Sequence, residues 1–173
     1  EISMDTGLAD ASDSALTGDN PMAEAGAAVS ESLVLDFADT DKLSWPVTGN
    51  IVLGYSMDTT TYFPTLDQYK VNPANVIQSE VSTPVSAPAD ARVVSVGTNE
   101  EIGNYVDLDL GNGYTAVCGQ LKEIPVVENE YGHQGDLLGY VAEPTKYYTV
   151  EGTNVFFEFL KDGVPVDALD FLE

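Results

Sequence analysis

The sequence predicts an all-β fold, an antiparallel sandwich-like domain running from roughly residue 43 to 173. Beyond Trp45 the chain is a series of short β-type runs separated by turn residues. One run, residues 105–110, alternates strictly between apolar and polar side chains. No long amphipathic helix pattern follows residue 45.

Residues 92–96 (RVVSV) form the first clear run. In the second, 105–110 (YVDLDL), Val106, Leu108 and Leu110 fall on one face and Tyr105, Asp107 and Asp109 on the other, because strand side chains alternate. Gly111-Asn112-Gly113 follows, and these residue types tolerate the positive φ of a tight hairpin turn. Residues 114–120 (YTAVCGQ) make the return strand, and 136–142 and 154–160 are further strands. Asp162-Gly163 turns the last of these into Val164-Pro165-Val166.

The chain has 173 residues, enough for one domain and a tail, and its apolar content of 43% supports a core. Residues 1–42 are assigned to an acidic linker and 43–173 to the domain. Residues 1–41 hold ten acids and no Lys or Arg and are rich in Ala, Ser, Gly and Asp, a composition that favours disorder. Within them, Asn20-Pro21 can start a short helix over residues 22–30, so this segment is expected to be disordered or partly helical. In total 29 acids face 6 bases, for a net charge of -23, which excludes nucleic acid and disfavours anionic membrane surfaces as partners. Cys118 is the sole cysteine, so an internal disulfide is excluded, and no run of about 20 apolar residues occurs. The chain begins at Glu1 rather than Met, which suggests a removed upstream signal or anchor and an extracytoplasmic domain tethered to the membrane.

Four stretches, in order from about residue 70 to the C-terminus, resemble the lysostaphin/LytM-type zinc metallopeptidases, the duplicated hybrid motif family. They are TPVSAPADARVVSVG (83–97), GNYVDLDLGNGYTAVCGQL (103–121), QGDLLGYV (134–141) and EGTNVFFEFLKDGVPVDALDFL (151–172). The resemblance implies a LytM-type peptidase fold. In active members, an H-x-x-x-D motif and the second His of H-x-H hold zinc. The first His of H-x-H and a His after the central hairpin assist the chemistry. Carried over position by position, the metal positions fall at Asn72, Val76 and Phe156, and the catalytic ones at Gln120 and Asn154. All five are substituted, so the resemblance implies a degenerate member with no metal cofactor and no peptidase activity.

The residues themselves lead the same way. A catalytic zinc needs about three His, Cys or carboxylate ligands with an open position for water. This chain has one His and one Cys in all. His133 lies between turn glycines in YGHQGD and reads as a solvated surface residue. Cys118 on an alternating strand reads as a small packed side chain rather than a nucleophile. Glu100, Glu101, Asp107 and Asp109 lack the spacing of a calcium loop and read as a solvated strand face. Nothing in their spacing supports a glycosidase pair.

Tyr55, Tyr62, Phe63 and Tyr69 form a candidate binding surface, with packing over one end of the sandwich as the alternative. The expected role is a non-catalytic scaffold at the bacterial cell envelope that binds a protein with a basic surface. A peptidoglycan-binding module, or a regulator of a separate wall hydrolase, is the alternative, and an active zinc endopeptidase the remote one. LSWPVTGNIVLGYS (43–56) and LDQYKVNPA (66–74) resemble the sporulation branch of the family, in which such a domain pairs a forespore-membrane protein with a mother-cell partner.

Overall fold

In the computed structural model, which describes residues 32–173, the alternating run at 105–110 lies at the heart of one large antiparallel sheet. The strands in chain order are β1 (Ile51–Leu53), β2 (Ser56–Phe63), β3 (Gln68–Asn72), β4 (Ala74–Gln78), β5 (Pro84–Ser86) and β6 (Ala91–Asn99). There follow β7 (Gly103–Gly111), β8 (Tyr114–Lys122), β9 (Tyr131–Gly132), β10 (Leu137–Val141), β11 (Asn154–Lys161) and β12 (Val164–Val166). A single 3-10 turn, Ala168–Asp170, is the only helical element among the described residues. The fold is therefore all-β, as the sequence predicts. The helix expected at residues 22–30 and the linker before it lie outside the described residues.

Hydrogen bonding orders the main sheet β1-β4-β11-β8-β7-β6-β9. β12 pairs with β11, and β10 branches from the end of β8 to carry β5. β2 and β3 form a separate hairpin. Every strand pair is antiparallel. The branch gives the domain its sandwich-like depth. Val85 of β5 and Leu138 and Val141 of β10 close over the same apolar cluster as Val106, Leu108 and Leu110 of β7. Ala116 and Cys118 of β8 and Val155, Phe157 and Phe159 of β11 complete that cluster.

The turn between β7 and β8 needs its glycines. Gly111, Asn112 and Gly113 have φ of 93°, 53° and 83°, and a Cβ on Gly111 would collide with the Leu35 carbonyl. The chain around Leu35 is thereby seated against the hairpin, and Phe37 enters the core beside Tyr114, their rings meeting edge-on at 5.0 Å. Phe37 belongs to the segment 1–42 assigned to the acidic tail, yet it is only 6% exposed. Composition hid it, because one aromatic among acids and alanines does not change a window average.

β11 is buried on both faces. Its other side carries Phe156, which joins Val76 and Ala74 of β4, Leu53, Phe63 and Tyr148 in a second, smaller cluster. The β2–β3 hairpin and the segment around Tyr148 cover this side, and that cover creates a cleft.

Candidate functional site

The antiparallel register sets Val76 and Phe156 side by side, with Asn154 on the same face and Gln120 in the neighbouring bulge, and Asn72 lines the adjoining cleft. Val76 in the middle of β4 stands directly opposite Phe156 of β11, whose other neighbour is Gly119 of β8. Asn154 lies two residues from Phe156 on the same face of β11, and Gln120 follows Gly119. Asn72 ends β3 and lines the same cleft as Phe156. Each is buried, at 1% for Asn72 and Gln120, 0% for Val76 and Asn154, and 7% for Phe156.

Two kinds of side chain share the space. Val76 and Phe156 pack into the smaller apolar cluster. The amides are satisfied, as buried polar groups must be, Gln120 and Asn154 by each other and the backbone and Asn72 by the backbone alone. The Asn72 amide donates to the Gly54 carbonyl at 2.8 Å and accepts from the Ala74 amide at 3.3 Å, tying the β3–β4 junction to the chain between β1 and β2. Gln120 accepts from the Thr145 amide at 2.9 Å and donates to Asn154, which in turn donates to the Gly152 carbonyl at 2.6 Å. The backbone of Gln120 is bulged out of the β7–β8 ladder into the left-handed region, with φ 62°. It is held there by bonds from its own amide to the Ile102 carbonyl at 2.6 Å and from the Ala142 amide to its carbonyl at 3.0 Å.

Peptidases of the kind suggested by the sequence carry zinc, so the donor set decides whether that ion fits. None of the five side chains is an imidazole, a thiol or a carboxylate, and the apolar pair has no lone pair to offer. Among the described residues no group of three or more His, Cys, Asp or Glu side chains is placed to hold a metal. The residues present do not fit zinc.

Beside the five positions opens a cleft of about 260 Å³, walled by Phe63, Tyr148 and Phe156 and edged by Lys70, Glu101 and Glu158. The Lys70 ammonium sits 4.6 Å from the centre of the Phe63 ring and 3.7 Å from the Glu101 carboxylate. Burial, then the negative charges of Asp107 and Glu101, push the Glu158 carboxyl above the usual glutamate range. Burial, then Asp109, does the same to Asp107. The Tyr148 hydroxyl is pushed well up by burial, then by Glu101, Glu151 and Glu158. The register Glu158–Val117–Asp107 across β11, β8 and β7 puts the two raised carboxyls on one sheet face, two strands apart.

The aromatic candidates divide. Tyr62 and Tyr69 are cross-strand partners on the β2–β3 hairpin, 42% and 73% exposed, with ring centroids 5.1 Å apart. Tyr62 donates to the Asp67 carboxylate at 2.9 Å, which raises its hydroxyl pKa. Phe63 is 2% exposed and forms part of the cleft wall. Tyr55 is half-buried and spans to β12, its hydroxyl donating to the Pro165 carbonyl at 3.3 Å. Cys118 is fully buried, and burial pushes its thiol up to about 12. His133 is exposed in the turn before β10, 3.9 Å from Asp136. Sequence reasoning missed Glu158, Tyr148 and Lys70. Glu158 left a trace as the one charge within the apolar run NVFFEF.

The profile of peptidase family M23 matches residues 70–168. Stage II sporulation protein Q of Bacillus subtilis (strain 168) is 28% identical over 89 residues, covering 51% of this chain and 31% of that protein. This chain therefore spans about a third of the length of the curated relative that it matches. A chain of the SpoIIQ–SpoIIIAH pore forming complex superposes with a TM-score of 0.65 at 22% identity, over 77% of this chain and 92% of its own. Helicobacter pylori Csd3 superposes at 0.63 and 18% identity, over 77% and 35%. The catalytic domain of lysostaphin from Staphylococcus simulans does so at 0.52 and 19%, over 58% and 78%. These superpositions share the all-β architecture built above, and the profile covers more than half of the sequence: the chain belongs to peptidase family M23.

Proposed function

We propose that this domain is a non-catalytic M23 member that acts as a protein-interaction scaffold at the bacterial cell envelope. The observation that carries the reading is the closed amide chain from Thr145 through Gln120 and Asn154 to Gly152, beside the apolar Val76–Phe156 pair. Uncoordinated His and Asp ligands would be costly to bury, whereas this set is neutral and mutually satisfied. A site that has merely lost a ligand would keep orphaned donors. The amides here are re-bonded into the fold.

The similar Stage II sporulation protein Q bears a sporulation name, and a solved SpoIIQ structure is a complex with SpoIIIAH. Pairing with a second protein outside the cytoplasm, through a tether upstream of Glu1, is the role we extend to this chain. No helix among the described residues is long and apolar enough to cross a membrane. The net charge of -23 favours a partner with a basic surface, reached by salt-sensitive association. We place the contact at the β2–β3 hairpin, where Tyr62 and Tyr69 offer rigid aromatic area to solvent.

The test joins metal analysis of the purified protein with cleavage assays on glycine-rich and stem peptides, and with sedimentation on cell-wall sacculi. Metal-free, inactive protein that stays in the supernatant is expected. Stoichiometric zinc with chelator-sensitive hydrolysis ends the reading, and co-sedimentation with sacculi replaces it with wall binding.

A further inference from the structure

The cleft beside Phe156 combines aromatic walls with acidic edges. Its walls are the rings of Phe63, Tyr148 and Phe156, and two carboxylates, Glu101 and Glu158, stand at its edge. At about 260 Å³ it is smaller than the usual small-molecule pocket, and it suits one long side chain.

The chain itself shows what such a cleft can hold. Lys70 lays its ammonium over the Phe63 ring and against Glu101, the two contacts by which aromatic faces and carboxylates retain a cation. Lys70 remains 38% exposed at its side chain, so it caps the rim without filling the space. Glu158 has no such partner: its charged neighbours within reach are the acids Asp107 and Glu101, and no described group donates to it or pairs with it. The cleft thus carries one carboxylate more than it has cations. On the outer face of the same hairpin stand Tyr62 and Tyr69, ready to contact the chain on either side of an inserted residue.

We propose that this cleft is a receptor for one basic side chain, lysine or arginine, of a protein partner, with the cation set between the aromatic walls and the Glu101 and Glu158 carboxylates. The proposal rests on the scaffold reading and names the chemistry by which the partner is chosen. The partner's aliphatic stem covers Phe156 and Tyr148, and its charge neutralises Glu158. Glu101 is then shared with Lys70. A norleucine or glutamine in place of the partner's basic residue would leave Glu158 uncompensated and so would not be held in the cleft, which discriminates by charge.

The test titrates the intact chain, followed by amide NMR, with a capped Gly-Tyr-Lys-Gly peptide and with its norleucine counterpart. The lysine peptide is expected to shift the signals of Phe63, Tyr148, Phe156 and Glu158, and the norleucine peptide to leave them in place. Glu158→Gln, which keeps the shape of the side chain, is expected to weaken the lysine peptide about five- to tenfold. Glu128→Gln, an exposed acid outside the cleft, should leave it unchanged. Equal binding of both peptides, shifts confined to other surfaces, or no binding at millimolar peptide each overturn the proposal. The mapping on the unsubstituted chain decides even if the Glu158 variant fails to fold. Failure here leaves the scaffold reading to stand or fall separately on metal content and cleavage.

Discussion

Gln120 reaches Asn154 across 34 residues of sequence and bonds to it from a left-handed backbone conformation. A non-glycine residue held at positive φ costs roughly 1–2 kcal/mol, so the surrounding bonds must outweigh it. The side-chain amide accepts from Thr145 and donates to Asn154, and the main chain is fixed by Ile102 and Ala142.

Truncation of this residue therefore has a defined cost. Gln120→Ala keeps the unfavourable φ and strands the half-buried Thr145 amide and the buried Asn154 side-chain oxygen. A loss of about 2–3 kcal/mol is expected, read as a shift of the urea midpoint at unchanged slope. Gln120→Gly relieves the backbone but strands the same groups, so it should fall between wild type and the alanine variant. An alanine variant within about 0.5 kcal/mol of wild type would show that the amide chain does not hold this corner.

Stability and recognition separate between the apolar cluster beneath the β2–β3 hairpin and the hairpin's outer face. Phe156→Ala removes a buried ring that packs on Val76 and Tyr148 and is expected to cost about 3–5 kcal/mol. Tyr69→Ala removes a ring that is 73% exposed, and its stability effect should stay within about 0.5 kcal/mol. In the proposed partner contact the order reverses for Tyr69, which should lose binding while keeping its melting temperature. Differential scanning calorimetry alongside partner titration checks both at once.

How much of this could be read from the chain follows from how each strand is buried. β7 was legible because only one of its faces is dry, so Val106, Leu108 and Leu110 alternate with Tyr105, Asp107 and Asp109. β11 was legible as a strand, but its two faces were not told apart, because Phe156 and Phe157 are both buried and the alternation vanishes. β2 gave no signal at all: its threonine run is polar on both sides, and it is a strand because β3 pairs with it. The five site positions were carried over from the family resemblance, yet the Gln120–Asn154 bond and the Glu101–Glu158 cleft depend on register between distant strands. Local sequence does not encode that register.

Two half-buried carboxyls, Glu158 in the cleft and Asp107 on the same sheet face, set the response to acid. The Glu158 pKa is raised above its ordinary 4.5 by burial, then by Asp107 and Glu101, and that of Asp107 above 3.8 by burial, then by Asp109. Raised carboxyls favour the protonated folded state, so their contribution is full below the unfolded pKa and is lost as pH rises through the folded one. The groups facing Glu158 are Asp107, Glu101 and the Tyr148 hydroxyl, and Lys70 lies across the cleft. Glu158→Gln should therefore gain stability relative to wild type as pH climbs from the ordinary glutamate value toward neutrality. Urea melts across that window measure the difference, which also subtracts the general repulsion of an acidic chain. A flat difference removes Glu158 as a source of strain.

Cys118 supplies a probe of global opening. Its thiol is buried and pushed up to about 12, so little thiolate exists at neutral pH and none is reachable in the native fold. Iodoacetamide labelling should track unfolding, rising only near the urea midpoint. Labelling in native buffer at the rate of a free thiol would place the central sheet in an open state that the packing of Phe157 and Val106 around it does not allow.

Restoring ligands tests whether the five positions converge as the resemblance assigns them. Val76→Asp alone buries a carboxylate opposite Phe156 within the smaller apolar cluster and is expected to destabilise by about 3 kcal/mol or more. The triple variant Asn72→His, Val76→Asp, Phe156→His offers two imidazoles and a carboxylate, the donor set of a catalytic zinc. If β3, β4 and β11 hold these positions around a common point, added zinc should raise the melting temperature of the triple variant and leave the single variant unmoved. Zinc at about a hundred times its dissociation constant stabilises by about 2.7 kcal/mol, a shift well within calorimetric reach. The Gln120–Asn154 pair is untouched, so the recovered site would bind metal without its proton-handling groups, and stem-peptide cleavage should stay at background. A triple variant indifferent to zinc would mean that Asn72, which ends β3 and is tied to Gly54, does not face Val76 and Phe156 closely enough to share an ion.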